Sequence, residues 1–151
     1  MAKRLKILLI NPAYSHQLYT TTKDVHAAME GKPPLGILSI GTYLKQKTDF
    51  EICLLDNQLE ALDDCAMLTY LETTRPDLVG ITVVSFKLFS AFRLTQVIKE
   101  SLPGVHVCWG GPHLSIYPME SLQLSGVDSL VLGDGEIPFV LLAQHLSKRK
   151  G

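Results

Sequence analysis

The sequence predicts an α/β fold: a doubly wound, five-stranded parallel sheet with helices on both faces. Two observations carry this. Short β-branched runs alternate with longer amphipathic ones five times along the chain, and such alternation implies strands joined by helical crossovers. The third short run, LVGITVV (78–84), is apolar throughout, as a strand buried on both faces should be. Right-handed crossovers leave few topologies, and the flavodoxin-like order 2-1-3-4-5 is the default for five β-α units.

LKILLI (5–10) is the first strand and stops at Asn11-Pro12. Residues 11–33 show no clear period and carry Thr20-Thr21-Thr22, Gly31 and Pro33-Pro34; a connection that long inside a compact domain suggests function or a lid. PLGILSIGTYLKQK (34–47) opens on proline, an expected first-turn residue, and sets Leu35, Leu38, Thr42 and Leu44 near helical spacing. FEICLLD (50–56) is the second strand, and residues 60–73 form a helix with Leu62, Ala66, Leu68 and Leu71 apolar. After the third strand, residues 88–101 form a helix with Phe89, Phe92, Val97 and Leu102 turned inward. VHVCW (105–109) is the fourth strand, PMESLQL (118–124) a short helix, DSLVLG (128–133) the fifth strand and 136–148 the last helix.

A chain of 151 residues is one domain by size, long enough for a single core. It reads as one domain over 1–151, complete in itself or cut from something longer. Hydrophobic content of 46% and charged content of 19% are globular values. A net charge of −1 implies no basic face, which argues against nucleic acid as a partner. No stretch approaches the roughly 20 apolar residues of a membrane span. MAKRLKILLINP has the charge-then-apolar order of a signal peptide, but its apolar run is only about six residues and fits a first strand better. Cys53, Cys65 and Cys108 are too few and too scattered for a disulfide framework or a zinc site. Cys53 and Cys108 read as small buried residues, and a reducing cytoplasm fits.

In such a sheet, ligands bind beyond the carboxyl ends of the strands. The loops there read NPAYSH, DNQ, SFK, GGPH and GDGE. Gly110-Gly111 is either a plain tight turn into Pro112 or the floor of a groove for a flat or elongated ligand, since glycine permits close backbone approach. Gly133-Asp134-Gly135-Glu136 either caps the last helix or offers free N–H groups to an anion or polar edge. Ser85 is either an N-cap or a hydroxyl aimed at a ligand. Three such loops at one edge outweigh three independent turns. There is no G-x-G-x-x-G after the first strand, no Walker A loop and no G-x-S-x-G elbow. Asn11-Pro12 and Val84-Ser85 stand where a phosphorylated receiver would need acidic residues.

NP after the first strand, PPLGILSIGTYL opening the first helix, LLD closing the second strand, LVGITVVS, GGPH and LGDGE fall in order. The ordered set resembles the N-terminal cobalamin (vitamin B12)-binding domain of cobalamin-dependent radical SAM enzymes, over residues 5–146. The resemblance implies that the corrinoid lies against the carboxyl edge of the sheet and that its nucleotide tail enters a groove between strands. It implies that Gly110 and Gly111 clear space for the tail, that Ser85 and its neighbours Phe86 and Lys87 line it, and that Gly133, Asp134, Gly135 and Glu136 border the corrinoid. Asn11, Pro12, Ala13 and Tyr14, Leu35 and Gly36, and Pro112 and His113 complete the implied site. Lys87 either meets the cofactor phosphate or is solvated, Tyr14 and Tyr117 either contact the corrin or are ordinary exposed loop tyrosines, and Trp109 either flanks the groove or packs inside. Replacing Gly110 or Gly111 by Leu is expected to bar the tail and leave the fold intact.

Related carriers supply cobalt's lower ligand from Asp-x-His-x-x-Gly at the end of the first strand. NPAYSH does not match it, and the near miss DVHAAM has Asp24 and His26 but Met29 for Gly. His16 and His113 are further candidates, yet cobalamin bound without a protein histidine is the expectation. The family's iron–sulfur cluster needs Cys-x-x-x-Cys-x-x-Cys, absent here, so cluster and S-adenosylmethionine belong to a downstream radical SAM domain. Alone, the chain would bind cobalamin without catalysing methyl transfer or cyclisation. The alternatives are a degenerate docking domain of the same fold, or an independent flavodoxin-like binding protein.

Overall fold

The computed structural model describes residues 2–14 and 32–151. Five strands, β1 (Lys6–Asn11), β2 (Glu51–Asp56), β3 (Leu78–Thr82), β4 (His106–Gly110) and β5 (Ser129–Leu130), pair in parallel in the order β2-β1-β3-β4-β5. The helices are α1 (Leu35–Lys47), α2 (Asn57–Glu60), α3 (Asp64–Thr74), α4 (Leu88–Ser101), α5 (Pro118–Leu122) and α6 (Glu136–Lys150), with 3-10 turns at Ser85–Lys87 and Pro112–Ser115. The predicted fold class and strand order are those observed. His16, Asp24, His26 and Met29, and the Thr20-Thr21-Thr22 run of the expected lid, lie outside the described residues. Among the described residues, no helix is long and apolar enough to cross a membrane.

Side chains alternate across a strand, so the central strands feed two cores. Leu8 and Ile10 of β1, Val79 and Ile81 of β3, and Val107 and Trp109 of β4 pack with Met67 and Leu71 of α3 and Ala91, Leu94 and Ile98 of α4. Ile7, Leu9, Leu78 and Cys108 face the other way, toward Ile37 and Leu44 of α1 and Phe139, Val140, Ala143 and Leu146 of α6. Burial of apolar area on both faces is the main force holding the layers.

Four expectations need correction. The helix expected over 60–73 is two helices. Ala61 turns left-handed at φ 49°, Asn57 bonds Leu62 through both side-chain atoms, and the Asp63 carboxylate caps a fresh start by accepting from the Ala66 amide. The fifth strand is two residues long rather than six, because β5 has a partner only in β4 and Gly133 turns the chain away at φ 71°. Phe89 is 52% exposed, not inward; the phase of α4 is set by Ala91, Leu94, Thr95 and Ile98. In α1 the inward residues are Ile37, Gly41 and Leu44, while Leu35 and Leu38 are exposed.

Candidate functional site

The carboxyl end of the sheet is hollow on the α1/α6 face. Leu9, Gly80 and Cys108 lie side by side in register, and the next row toward the carboxyl end pairs Thr82 with Gly110. Gly80 and Gly110 carry no side chain into the space that the first turns of α1 and α6 leave above the sheet. The result is a cavity of about 360 Å³ with an apolar floor of Ile37, Ile40, Val131 and Phe139. Predicted residues at its rim are Gly36, Gly110–Pro112 and Gly133–Glu136.

The two glycines of GGPH differ. A Cβ at Gly110 would meet nothing nearer than the Val131 carbonyl at 3.9 Å, so its missing side chain opens the cavity. Gly111 has φ 108°, and a Cβ there would lie 2.6 Å from the Val83 carbonyl oxygen. Its glycine is demanded by the backbone, in a region essentially closed to other residues. The expectation that Gly111→Leu leaves the fold intact is therefore corrected. Cβ atoms at Gly36 and Gly133 would enter open space.

The remaining predicted residues stand elsewhere on the same edge. Pro12, Ala13 and Tyr14 line a separate hollow of about 160 Å³ on the α3/α4 face. Leu35 is exposed beside an open groove with Ser39 and Glu136. Ser85 is not an N-cap: its Oγ lies 3.0 Å from His113 Nδ1, and the His113 ring rests against Tyr117 with centroids 5.3 Å apart. His113 is buried. Phe86 is partly exposed and tilts against Tyr14 at 6.0 Å. Trp109 packs inside, fully buried, its indole N–H donating to Thr95 Oγ1 at 2.9 Å.

Lys87 is not solvated. It is 6% exposed and donates to Asn11 Oδ1 at 3.1 Å and to the Pro12 carbonyl at 2.9 Å. Asn11 in turn donates to Asp56 Oδ1 at 2.7 Å, and Gln58 Oε1 accepts from the Tyr14 amide. One amide thus bridges an ammonium and a carboxylate, tying together the ends of β1, β2 and β3. Burial holds the Lys87 pKa below its ordinary value, with nearby Asp56 partly opposing.

The cavity itself is acidic and unreactive. Glu136 accepts from Ser39 Oγ at 2.5 Å, a bond that keeps its carboxyl ionised to lower pH than usual. Burial pushes the Cys108 thiol up to about 11, so it stays protonated and supplies no thiolate. No histidine lines the cavity among the described residues, and no group of three or more His, Cys, Asp or Glu could hold a metal ion among them.

These features fit a corrinoid's tail. The cavity volume sits near the lower end of the roughly 300–1,000 Å³ typical of ligand pockets, which is room for a part of a cobalamin and not for the whole of it. The open positions at Gly36, Gly110 and Gly133 form a cradle that a Cβ would begin to fill. Sequence reasoning missed the floor, above all Gly80 and Phe139. Gly80 carried a usable signal, because a glycine inside a β-branched strand marks a close approach.

A family model described as the B12 binding domain matches residues 26–143. An uncharacterized methyltransferase of Pyrococcus horikoshii is 28% identical over 147 residues, which is 97% of this chain and 30% of the relative. The anaerobic magnesium-protoporphyrin IX monomethyl ester cyclase of Rubrivivax gelatinosus is 28% identical over 134 residues, 87% of this chain and 23% of the relative. The chain therefore spans less than a third of the curated relatives it matches. Among solved structures, the radical S-adenosylmethionine methyltransferase TsrM from Kitasatospora setae, with cobalamin and a 4Fe-4S cluster bound, has a TM-score of 0.78 at 23% identity, covering 97% of this chain and 25% of that one. At that identity the likeness is one of fold. With the family match running over most of its length, and a glycine-lined cavity at the carboxyl edge of its sheet, the chain belongs to the B12 binding domain family, whose ligand is cobalamin.

Proposed function

We propose that this chain is the cobalamin-holding module of a larger radical SAM enzyme, a methyltransferase or a cyclase. The observation that carries the reading is the hollow α1/α6 face at the carboxyl end of the sheet in a chain of this family. The nucleotide tail enters past Gly36, Gly110 and Gly133 onto the apolar floor. The carboxylates of Asp134 and Glu136 at the rim accept from amide or hydroxyl donors, of which a corrinoid has many. Tyr14, Ser85, Phe86 and Pro112 lie along the rest of the edge, where the macrocycle would rest, and Lys87 braces Asn11 and Pro12 behind them.

When bound, cobalamin supplies either a cobalt–carbon bond that gives up a methyl group or a cobalt centre that exchanges electrons. The iron–sulfur cluster and S-adenosylmethionine belong to a further domain, since this chain's cysteines lack the needed spacing. The relatives, a methyltransferase and a cyclase, support the two reaction classes.

In this reading no histidine of the chain would hold cobalt. His113, the candidate among the described residues, is buried against Tyr117 and does not line the cavity. The test is the electron paramagnetic resonance spectrum of the chain loaded with cob(II)alamin. The reading expects no nitrogen superhyperfine splitting, and the same spectrum in His26→Ala. A nitrogen splitting abolished by His26→Ala or His113→Ala would overturn the histidine-free arrangement. Failure of the folded chain to retain any corrinoid after desalting would favour a degenerate docking domain.

A further inference from the structure

We infer that Phe139, admitted by Gly80, is the gauge that sets how large a lower base the tail cavity accepts. The inference rests on the proposed entry of the nucleotide tail. It starts from one contact. A Cβ at Gly80 would lie 2.9 Å from Phe139 Cε2 and 2.8 Å from Leu9 Cδ2. Real Cβ atoms do not approach so closely, so glycine in the middle of β3 is what lets the far end of the Phe139 ring rest against the strand. The ring is 3% exposed, and its backbone amide donates to the Gly135 carbonyl at 3.0 Å, which fixes it in the first turn of α6.

The consequence is geometric. Gly80 sits between Leu9 and Cys108 in the deeper row, and Thr82 and Gly110 form the row at the rim. The ring therefore lines the cavity at the depth of Gly80, below the rim row. The part of the floor it makes is aromatic, and a phenyl ring offers no hydrogen-bond donor or acceptor of the ordinary kind. Such a floor suits the edge or face of a planar base, and discriminates by size rather than by polar readout. Selection by shape in an apolar pocket is worth about tenfold to a few hundredfold per misfit group.

The experiment measures the affinity of the folded chain for three corrinoids: cobinamide, which has no base; cobalamin, with its benzimidazole; and a cobamide with a larger naphthimidazole base. The wild type is expected to prefer cobalamin over both others. Phe139→Leu, which shortens the floor, should raise naphthimidazolyl-cobamide affinity by about tenfold relative to cobalamin. Gly80→Ala, which drives the ring toward the mouth, should lower cobalamin affinity by about tenfold while leaving cobinamide unchanged. Circular dichroism checks that each variant is folded, and either variant alone suffices for the test. A wild type that prefers cobalamin, with that ranking unmoved in a folded variant, would overturn the gauge alone. Equal wild-type affinities for cobalamin and cobinamide would instead overturn tail entry, and the gauge with it.

Discussion

The two faces of the same three strands end in opposite ways. On the α3/α4 face the last positions are Ile10, Ile81 and Trp109, all buried, with the indole N–H paired to Thr95. On the α1/α6 face, the neighbouring positions are Leu9, Gly80 and Cys108, then Thr82 and Gly110, with a cavity above them. The filled face makes the domain stable, and the hollow face is the one proposed to receive the cofactor. Because side chains alternate along a strand, one residue's step along the sequence separates the two duties.

Mutations can break this division. The largest stability loss should come from the filled face. Trp109→Ala leaves a large cavity and should cost about 3–5 kcal/mol, seen in urea unfolding. Gly111→Leu should follow, losing about 3 kcal/mol through its positive φ and the close Val83 backbone. Gly110→Leu, one residue earlier, should unfold like the wild type yet bind cobalamin about 100-fold more weakly. Equal stability losses in the two glycine variants would erase the distinction drawn between them.

Cys108 gives a smaller, pH-dependent test on the hollow face. Its folded pKa is raised to about 11 from an ordinary 9.0, so the unfolded chain loses this proton first. The resulting stability is full below pH 9 and is lost as pH rises toward 11. Cys108→Ala should remove that loss, on the order of 2 kcal/mol, from the pH profile of unfolding. The smallest effect expected is at Lys87, where the third strand end meets the first. Lys87→Met leaves Asn11 Oδ1 and the Pro12 carbonyl without a donor but relieves a buried ammonium, for a net cost of about 1 kcal/mol at neutral pH. With the Lys87 pKa lowered by folding, wild-type stability from this group rises with pH up to about 10.5, and the gap to Lys87→Met should widen over that window.

Much of this was legible in the sequence because it is local. Alternating runs marked the strands, and the glycine-bearing loops marked the carboxyl edge. What was not legible depends on contacts between distant segments. Phe139 reads as one more apolar residue in IPFVLLA until α6 is laid over Gly80. Lys87 reads as a solvated charge until the ends of β1 and β2 bring Asn11 and Asp56 to it. Phe89 reads as inward because helical spacing fixes a face only once the packing partner is known. Gly110 and Gly111 look equivalent on paper, and only the backbone of Val83 tells them apart.

The most direct test of the central claim is a titration of the purified chain with hydroxocobalamin, followed by visible absorbance after desalting, alongside Gly110→Leu. Corrinoid retained by the wild type and lost by an equally folded Gly110→Leu is the predicted result. Corrinoid retained equally by both would contradict entry of the tail through the glycine-lined cavity.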